Sequence, residues 1–260
     1  MHSTVDVKKQ SNQQNWLLDF DLSLLLLYNM EQARNKDQKC PVVLLLDTSG
    51  SMSGAPIAEL NAALIKLKED ILCDPLLANR LEIGIVAFDD EGRVERPIDL
   101  ISGESNFPTL SVGGTTNLVG GMSIAMTLVE DRKSFYKANG EQYYRPFIVL
   151  ITDGAPTNTS DEIDALDTQI QSKSDEKRFV FLPFGTEGAD MKLLAKLAAQ
   201  TADERLQGRG TSYLIKDVSK FGEIFAFVSA SVGAAMNQGG TASASLPIDV
   251  AQPVTFDLST

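Results

Sequence analysis

From residue 41 to about residue 235, short apolar runs alternate with amphipathic ones, and this rhythm leaves few folds open. The runs 42–46 (VVLLL), 81–88 (LEIGIVAF), 147–152 (FIVLIT), 179–184 (FVFLPF) and 212–215 (SYLI) are almost continuously apolar. A strand wetted on one face would alternate, whereas a continuous run suits a parallel strand covered on both. Between the runs lie helical stripes. Ile57, Leu60, Leu64, Leu67 and Ile71 form the first, with Pro56 in its opening turn. Leu118, Met122, Ala125 and Val129 form a second, so Met122 and the neighbouring Met126 are expected in the core. Leu193, Leu194 and Leu197 belong to a third; Ile224, Phe225, Val228 and Val232 belong to a fourth, with Ser219 as its expected N-cap. Residues 160–173 are patterned more weakly, but the apolar runs on either side require a crossover there.

One pair of strands breaks the alternation. Asp90, Glu91 and Gly92 fall in the four-residue gap between 81–88 and 93–98 (RVERPI), which leaves no room for a helix and reads as a tight hairpin. Its acidic residues Asp89, Asp90 and Glu91 are expected to form a solvated tip. The fold expected is α/β: a doubly wound, Rossmann-like arrangement with a mostly parallel central sheet, one antiparallel edge strand and helices on both faces.

Composition removes several classes of function. The net charge of −12 and pI near 4.6 argue against nucleic-acid binding, which needs clustered Lys and Arg. His2 is the only histidine, so a catalytic histidine or a His-ligated zinc site is set aside. Cys40 and Cys73 have no short-spaced motif and read as two reduced thiols, a single disulfide being the alternative. The run 16–28 (WLLDFDLSLLLLY) is interrupted by Asp19 and Asp21, lacks a good cleavage site and is too short to span a bilayer. It reads as an accessory helix or strand, and the chain as cytoplasmic with no membrane partner.

Chemistry concentrates where apolar runs end. The first opens into "DTSGS" and the run at 147–152 into "DGAPT"; the loop "VGGTTNL" leads into the second helical stripe. In an open α/β sheet such loops share one rim, at the carboxyl ends of the strands. Alternate side chains of an extended segment point the same way, so Asp47, Ser49 and Ser51 can offer three oxygens to one point. Oxygen ligands without Cys or His select Mg²⁺, Ca²⁺ or Mn²⁺, and short side chains permit the roughly 2.0–2.1 Å distances of Mg²⁺. Gly50 and Gly54 would let the backbone turn around the ion. Gly113-Gly114 is followed by no Gly-Lys-Ser/Thr, which argues against nucleotide binding.

"DTSGS" resembles the Asp-x-Ser-x-Ser signature of von Willebrand factor A (vWA) domains, whose metal-ion-dependent adhesion site holds a divalent cation. That family adds a threonine from a second loop and an aspartate from a third, and "GGTTNLVGGM" and "ITDG" supply both in order. The resemblance covers roughly residues 40–235. It implies a vWA fold and a site of Asp47, Ser49, Ser51, Thr116 and Asp153, with Thr115 as the alternative to Thr116. It further implies that Ser49, Ser51 and Thr116 bind the cation directly, Asp47 and Asp153 acting mainly through waters or from outside the inner shell. Mg²⁺ is the expected ion, with Mn²⁺ and Ca²⁺ as alternatives, and an open position would take a Glu or Asp from a partner protein.

Within the family, "DTSGSMSGAPI", "LITDGAPT" and "FGTEGADMKLLAKLA" look most like bacterial stand-alone proteins of the tellurium-resistance TerY type. That likeness implies a stress-response or phage-defence setting, with a kinase or phosphatase among the partners. The expected organisation is an accessory segment (1–39), the vWA domain (40–235) and a small-residue linker with a tail (236–260). The function expected is non-enzymatic. One alternative is a Mg²⁺-dependent phosphohydrolase, against which Ser49 stands where that chemistry needs a second acid; another is a scaffold with a purely structural cation. In integrin-like relatives a shift of the last helix couples to the metal site, and the helix at 219–235 could support a similar response.

Overall fold

The computed structural model describes residues 35–186, 188–198, 212–237, 241–244 and 254–257. The chain divides into Met1–Asp37 and Gln38–Thr260, and every element below lies in the second unit. The accessory reading of 16–28 falls outside the described residues.

A six-stranded sheet forms from β1 (Cys40–Asp47), β2 (Leu81–Phe88), β3 (Gly92–Leu100), β4 (Phe147–Thr152), β5 (Val180–Thr186) and β6 (Tyr213–Ile215). The order is β3-β2-β1-β4-β5-β6. All neighbours are parallel except β2 and β3, the hairpin pair, which puts the one antiparallel strand at an edge. Leu44 of β1 stands beside Ile85 on one side and Val149 on the other.

Residues of alternate parity serve opposite faces of the sheet. Val42, Leu44 and Leu46 pack with α1 (Ala55–Cys73) and α6 (Phe221–Asn237), through Leu60, Leu64, Leu67, Phe221 and Phe225. Val43 and Leu45 pack with α3 (Leu118–Asn139), α4 (Ser160–Asp175) and α5 (Met191–Leu197), through Met122, Met126, Val129, Ile170 and Leu197. Both faces of β1 are therefore dry, which is why its sequence is continuously apolar.

Local chemistry sets the helix ends. The weakly patterned α4 opens with a full capping box, Thr159 and Glu162 each bonding the other's backbone N–H. Asn117 caps α3, and Gly140, in the left-handed conformation, closes it. A short helix, α2 (Pro75–Arg80), capped by Asp74, was not anticipated from periodicity. Ser219 is not the N-cap expected for α6: it lies inside a 3-10 turn, Val218–Lys220, whose cap is Asp217. The Asp217 carboxylate, two residues upstream, accepts from the Ser219 N–H and so starts the turn before Ser219 is reached. Thr241–Ala244 (β7) and Val254–Asp257 (β8), within the stretch read as linker and tail, form a separate antiparallel pair. Both cysteines are free, Cys40 buried in β1 and Cys73 exposed at the end of α1.

Candidate metal centre

β1 and β4 are neighbours, yet the chain leaves β1 toward β2 on one side and β4 toward β5 on the other. This is the topological switch point, where strand ends splay and leave a crevice. Asp47 is the last residue of β1, fully buried, and Asp153 directly follows β4. Asp47 Oδ1 accepts from the backbone N–H of Ser49 at 2.8 Å, and its Oδ2 accepts from Thr152 Oγ1.

The first loop reaches its geometry differently from the extended segment expected. Ser49 is still extended (φ −63°, ψ 166°), but Gly50–Met52 curl into a 3-10 turn. The curl brings Ser51 Oγ to 3.0 Å from Ser49 Oγ, while Ser51 Oγ donates to Asp153 Oδ1 at 2.6 Å. Of the two glycines expected to turn this loop, Gly54 has the positive φ (+87°) that favours glycine; Gly50 instead donates its N–H to Gly114 O.

The second loop lies across the first. Gly113 N–H donates to Thr48 O, and Thr157 N–H of the third loop donates to Thr116 O, each at 2.9 Å. Thr116 is buried. A methyl placed on Gly154 would lie 3.5 Å from both Thr116 Oγ1 and Ser51 Oγ, so the two hydroxyls face one small space. Thr115 turns the other way: it is exposed, and its Oγ1 donates to Asp90. The structure thus gathers Asp47, Ser49, Ser51, Thr116 and Asp153 at one rim and leaves Thr115 off it.

Burial pushes the Asp47 carboxyl above the usual carboxylate range, against hydrogen bonds from Ser49 and Thr152, and Asp153 adds like-charge repulsion. Burial raises the Asp153 carboxyl too, opposed by the Ser51 bond. Among the described residues no Lys or Arg pairs with either carboxylate. Nor is any group of three or more His, Cys, Asp or Glu side chains among them placed to hold a metal. The oxygen set here is two carboxylates and three hydroxyls. Such a set fits a hard divalent cation: the donors are all oxygen, and the two desolvated carboxylates have no cationic side chain beside them among the described residues.

Of three residues that hold the site, Thr152 and Asn158 were not singled out from the sequence and Asp90 was read only as part of a solvated tip. Thr152 clamps Asp47; Asn158 joins the third loop to the second through Asn117 Oδ1 (3.0 Å) and to the first turn of α3 through the Val119 N–H (3.2 Å); Asp90 grips Thr115. A polar residue closing an apolar strand was the available signal for Thr152. The acidic hairpin tip is not merely solvated: Arg93 pairs with Asp89 at 2.7 Å, and Asp90 bonds the second loop.

The fold and its rim define a Rossmann-like domain that collects hydroxyl and carboxylate oxygens at the switch point of its sheet. The von Willebrand factor type A domain matches residues 42–226, and the chain belongs to that family, a fold of the protein-interaction type. It is 29% identical over 154 residues to inter-alpha-trypsin inhibitor heavy chain H4 of Sus scrofa, covering 55% of this chain and 15% of that one. It is 32% identical over 136 residues to an uncharacterised protein of Methanocaldococcus jannaschii, covering 50% and 27%. Among solved structures, a von Willebrand factor type A protein from Catenulispora acidiphila superposes with a TM-score of 0.55 at 21% identity, over 79% of this chain and 44% of that one. The chain thus spans less than a third of the curated relatives' lengths.

Proposed function

We propose that the three loops hold one divalent cation, Mg²⁺ first, and that the cation takes a Glu or Asp side chain from a partner protein. Ser49, Ser51 and Thr116 would bind it directly, and Asp47 and Asp153 through waters or from outside the inner shell. The observation that carries this reading is the Ser49–Ser51–Asp153 chain of contacts beside buried Asp47, with no basic side chain among the described residues to neutralise the two carboxylates. Two carboxylates and one divalent ion are formally neutral, so an incoming carboxylate meets an electrophilic ion at little electrostatic cost.

The module is read as non-catalytic, since the chain's one histidine is His2 and, among the described residues, the rim offers no general base beyond the site carboxylates. Residues 40–235 would be the working domain, flanked by an accessory segment (1–39) and a tail (236–260). The TerY-like motifs extend the proposal to a cytoplasmic stress-response or phage-defence setting, with a kinase or phosphatase as partner. No helix among the described residues is long and apolar enough to cross a membrane.

Thermal melting tests the cation. Millimolar Mg²⁺ or Mn²⁺ should raise the melting temperature, because a ligand at 100 times its Kd contributes about 2.7 kcal/mol. Asp47→Ala should abolish that rise while leaving the far-UV circular dichroism spectrum intact; an undiminished rise removes Asp47 from the site. Partner capture lost both with EDTA and with Asp47→Ala supports the adhesion role, whereas chelator-insensitive capture assigns binding to another surface.

A further inference from the structure

The loop between β3 and α3, residues 101–117, has no regular structure, yet it must deliver Thr116 to the site. A loop of that length needs pins, because every residue left free adds ordering entropy when a ligand binds. Asn61 holds Leu110 and Thr48 holds Gly113 earlier in the loop, and the pins on either side of Thr116 come from the turn of the β2–β3 hairpin. Asp90 Oδ1 accepts from both the backbone N–H and the Oγ1 of Thr115, each at 2.8 Å. Asp90 O accepts from Asn117 Nδ2 at 3.0 Å, and Asp89 O from Asn117 N–H at 2.7 Å. Both chain neighbours of Thr116 are thereby hung on the hairpin.

Gly114 shows how closely the loop is drawn in. It has a positive φ (+65°), and a Cβ there would lie 2.6 Å from the Asp90 carboxylate, so any other residue would strain the backbone and push that carboxylate aside. Thr115 is held outward on Asp90 while Thr116, one residue on, is buried against the rim.

We propose that Asp90 is a positioning residue for the cation site: by gripping Thr115 from a neighbouring hairpin, it fixes the second loop with Thr116 turned inward. This rests on the cation reading above and adds a residue to it from a fourth segment, one that touches no metal itself. Asp90 lowers the reorganisation that cation binding demands, so its loss appears in metal affinity rather than in the stability of the cation-free fold.

The test is Mn²⁺ calorimetry on the full chain, paired with melting in EDTA. Asp90→Ala removes the acceptor and should raise the Mn²⁺ Kd on the order of tenfold, as expected for lost hydrogen bonds to a charged group. Asp90→Asn keeps an Oδ1 acceptor and should stay within about threefold of the wild type. Glu91→Gln removes a neighbouring exposed charge and should leave the Kd unchanged. The melting temperature in EDTA should be the same for all. If the wild type binds Mn²⁺ and Asp90→Ala binds equally well, positioning by Asp90 is overturned and the cation site stands. Equal weakening by all three variants would overturn it in favour of a plain charge effect. A wild type that takes up no Mn²⁺ overturns the site and the positioning role together. Should Asp90→Ala melt lower in EDTA, Thr115→Val decides, since it keeps the backbone N–H bond to Asp90 and deletes the hydroxyl bond together with the long 3.4 Å contact from Thr157 Oγ1: a weakened Mn²⁺ Kd with unchanged apo melting supports the proposal, and an unchanged Kd defeats it.

Discussion

Glu82 is the residue least at home in its own sequence, a carboxylate in the second position of an otherwise apolar strand. It is buried to within 1% of full enclosure, and Arg132 of α3 meets it with Nε at 2.8 Å from Oε2 and a second nitrogen at 2.5 Å from Oε1. Tyr136, one turn along α3, donates its hydroxyl to the same carboxylate. The fork geometry satisfies both oxygens, which is what makes a buried charge tolerable. Breaking one side leaves the other uncompensated. Glu82→Ala should therefore cost about 3 kcal/mol in denaturant unfolding, the low end for a buried pair because Arg132 keeps some exposure. The double replacement Glu82→Met with Arg132→Met should recover most of that loss. A single variant as stable as the wild type would show that the pair carries no such weight. Asp47 and Asp153 are the opposite case, buried carboxylates that no Lys or Arg among the described residues meets, and that contrast separates a structural acid from a candidate ligand.

Among the elements, α3 matters most to the site, because its first residue follows Asn117 and its placement sets where the second loop ends. Gly121 decides how close it comes to the sheet. A Cβ there would lie 2.7 Å from Phe88 Cβ and 3.1 Å from Leu45 Cδ1, both on fully buried side chains. Gly121→Ala should destabilise the fold by about 1–3 kcal/mol through overpacking, despite the better helix propensity of alanine, and should weaken cation binding by displacing the loop. A more stable variant would mean that α3 shifts without cost. The sequence made the long elements legible because their burial is periodic: Leu60, Leu64, Leu67 and Ile71 announce α1 whatever else the chain does. It hid α2, too short to show a period, and the 3-10 turn at Gly50–Met52, where the curl depends on contact with Gly114 far along the chain.

For the molecule as a whole, cooperativity of the sheet can be read at Cys40, on a strand flanked by β2 and β4. Burial, and secondarily the Glu82 carboxylate, push its thiol well above the usual range, while Cys73 is exposed. A disulfide reagent should take up one equivalent quickly, at Cys73, and a second only as fast as the sheet opens. Saturating Mg²⁺ should slow the second step, since a ligand of the native state opposes opening; two fast equivalents would show that β1 is accessible. By itself the sequence determined the α/β class, the parallel sheet with its one hairpin, and the residue types of the rim, because each is written in a local pattern: continuous apolar runs, helical stripes, and carboxylates and hydroxyls just beyond strand ends. Only the tertiary structure decided that Thr116 rather than Thr115 turns inward, that Asp90 of a seemingly solvated tip holds that loop, and that Glu82 finds Arg132 fifty residues away. Those outcomes depend on which distant segments become neighbours, and no local pattern encodes a partner that burial supplies only after folding.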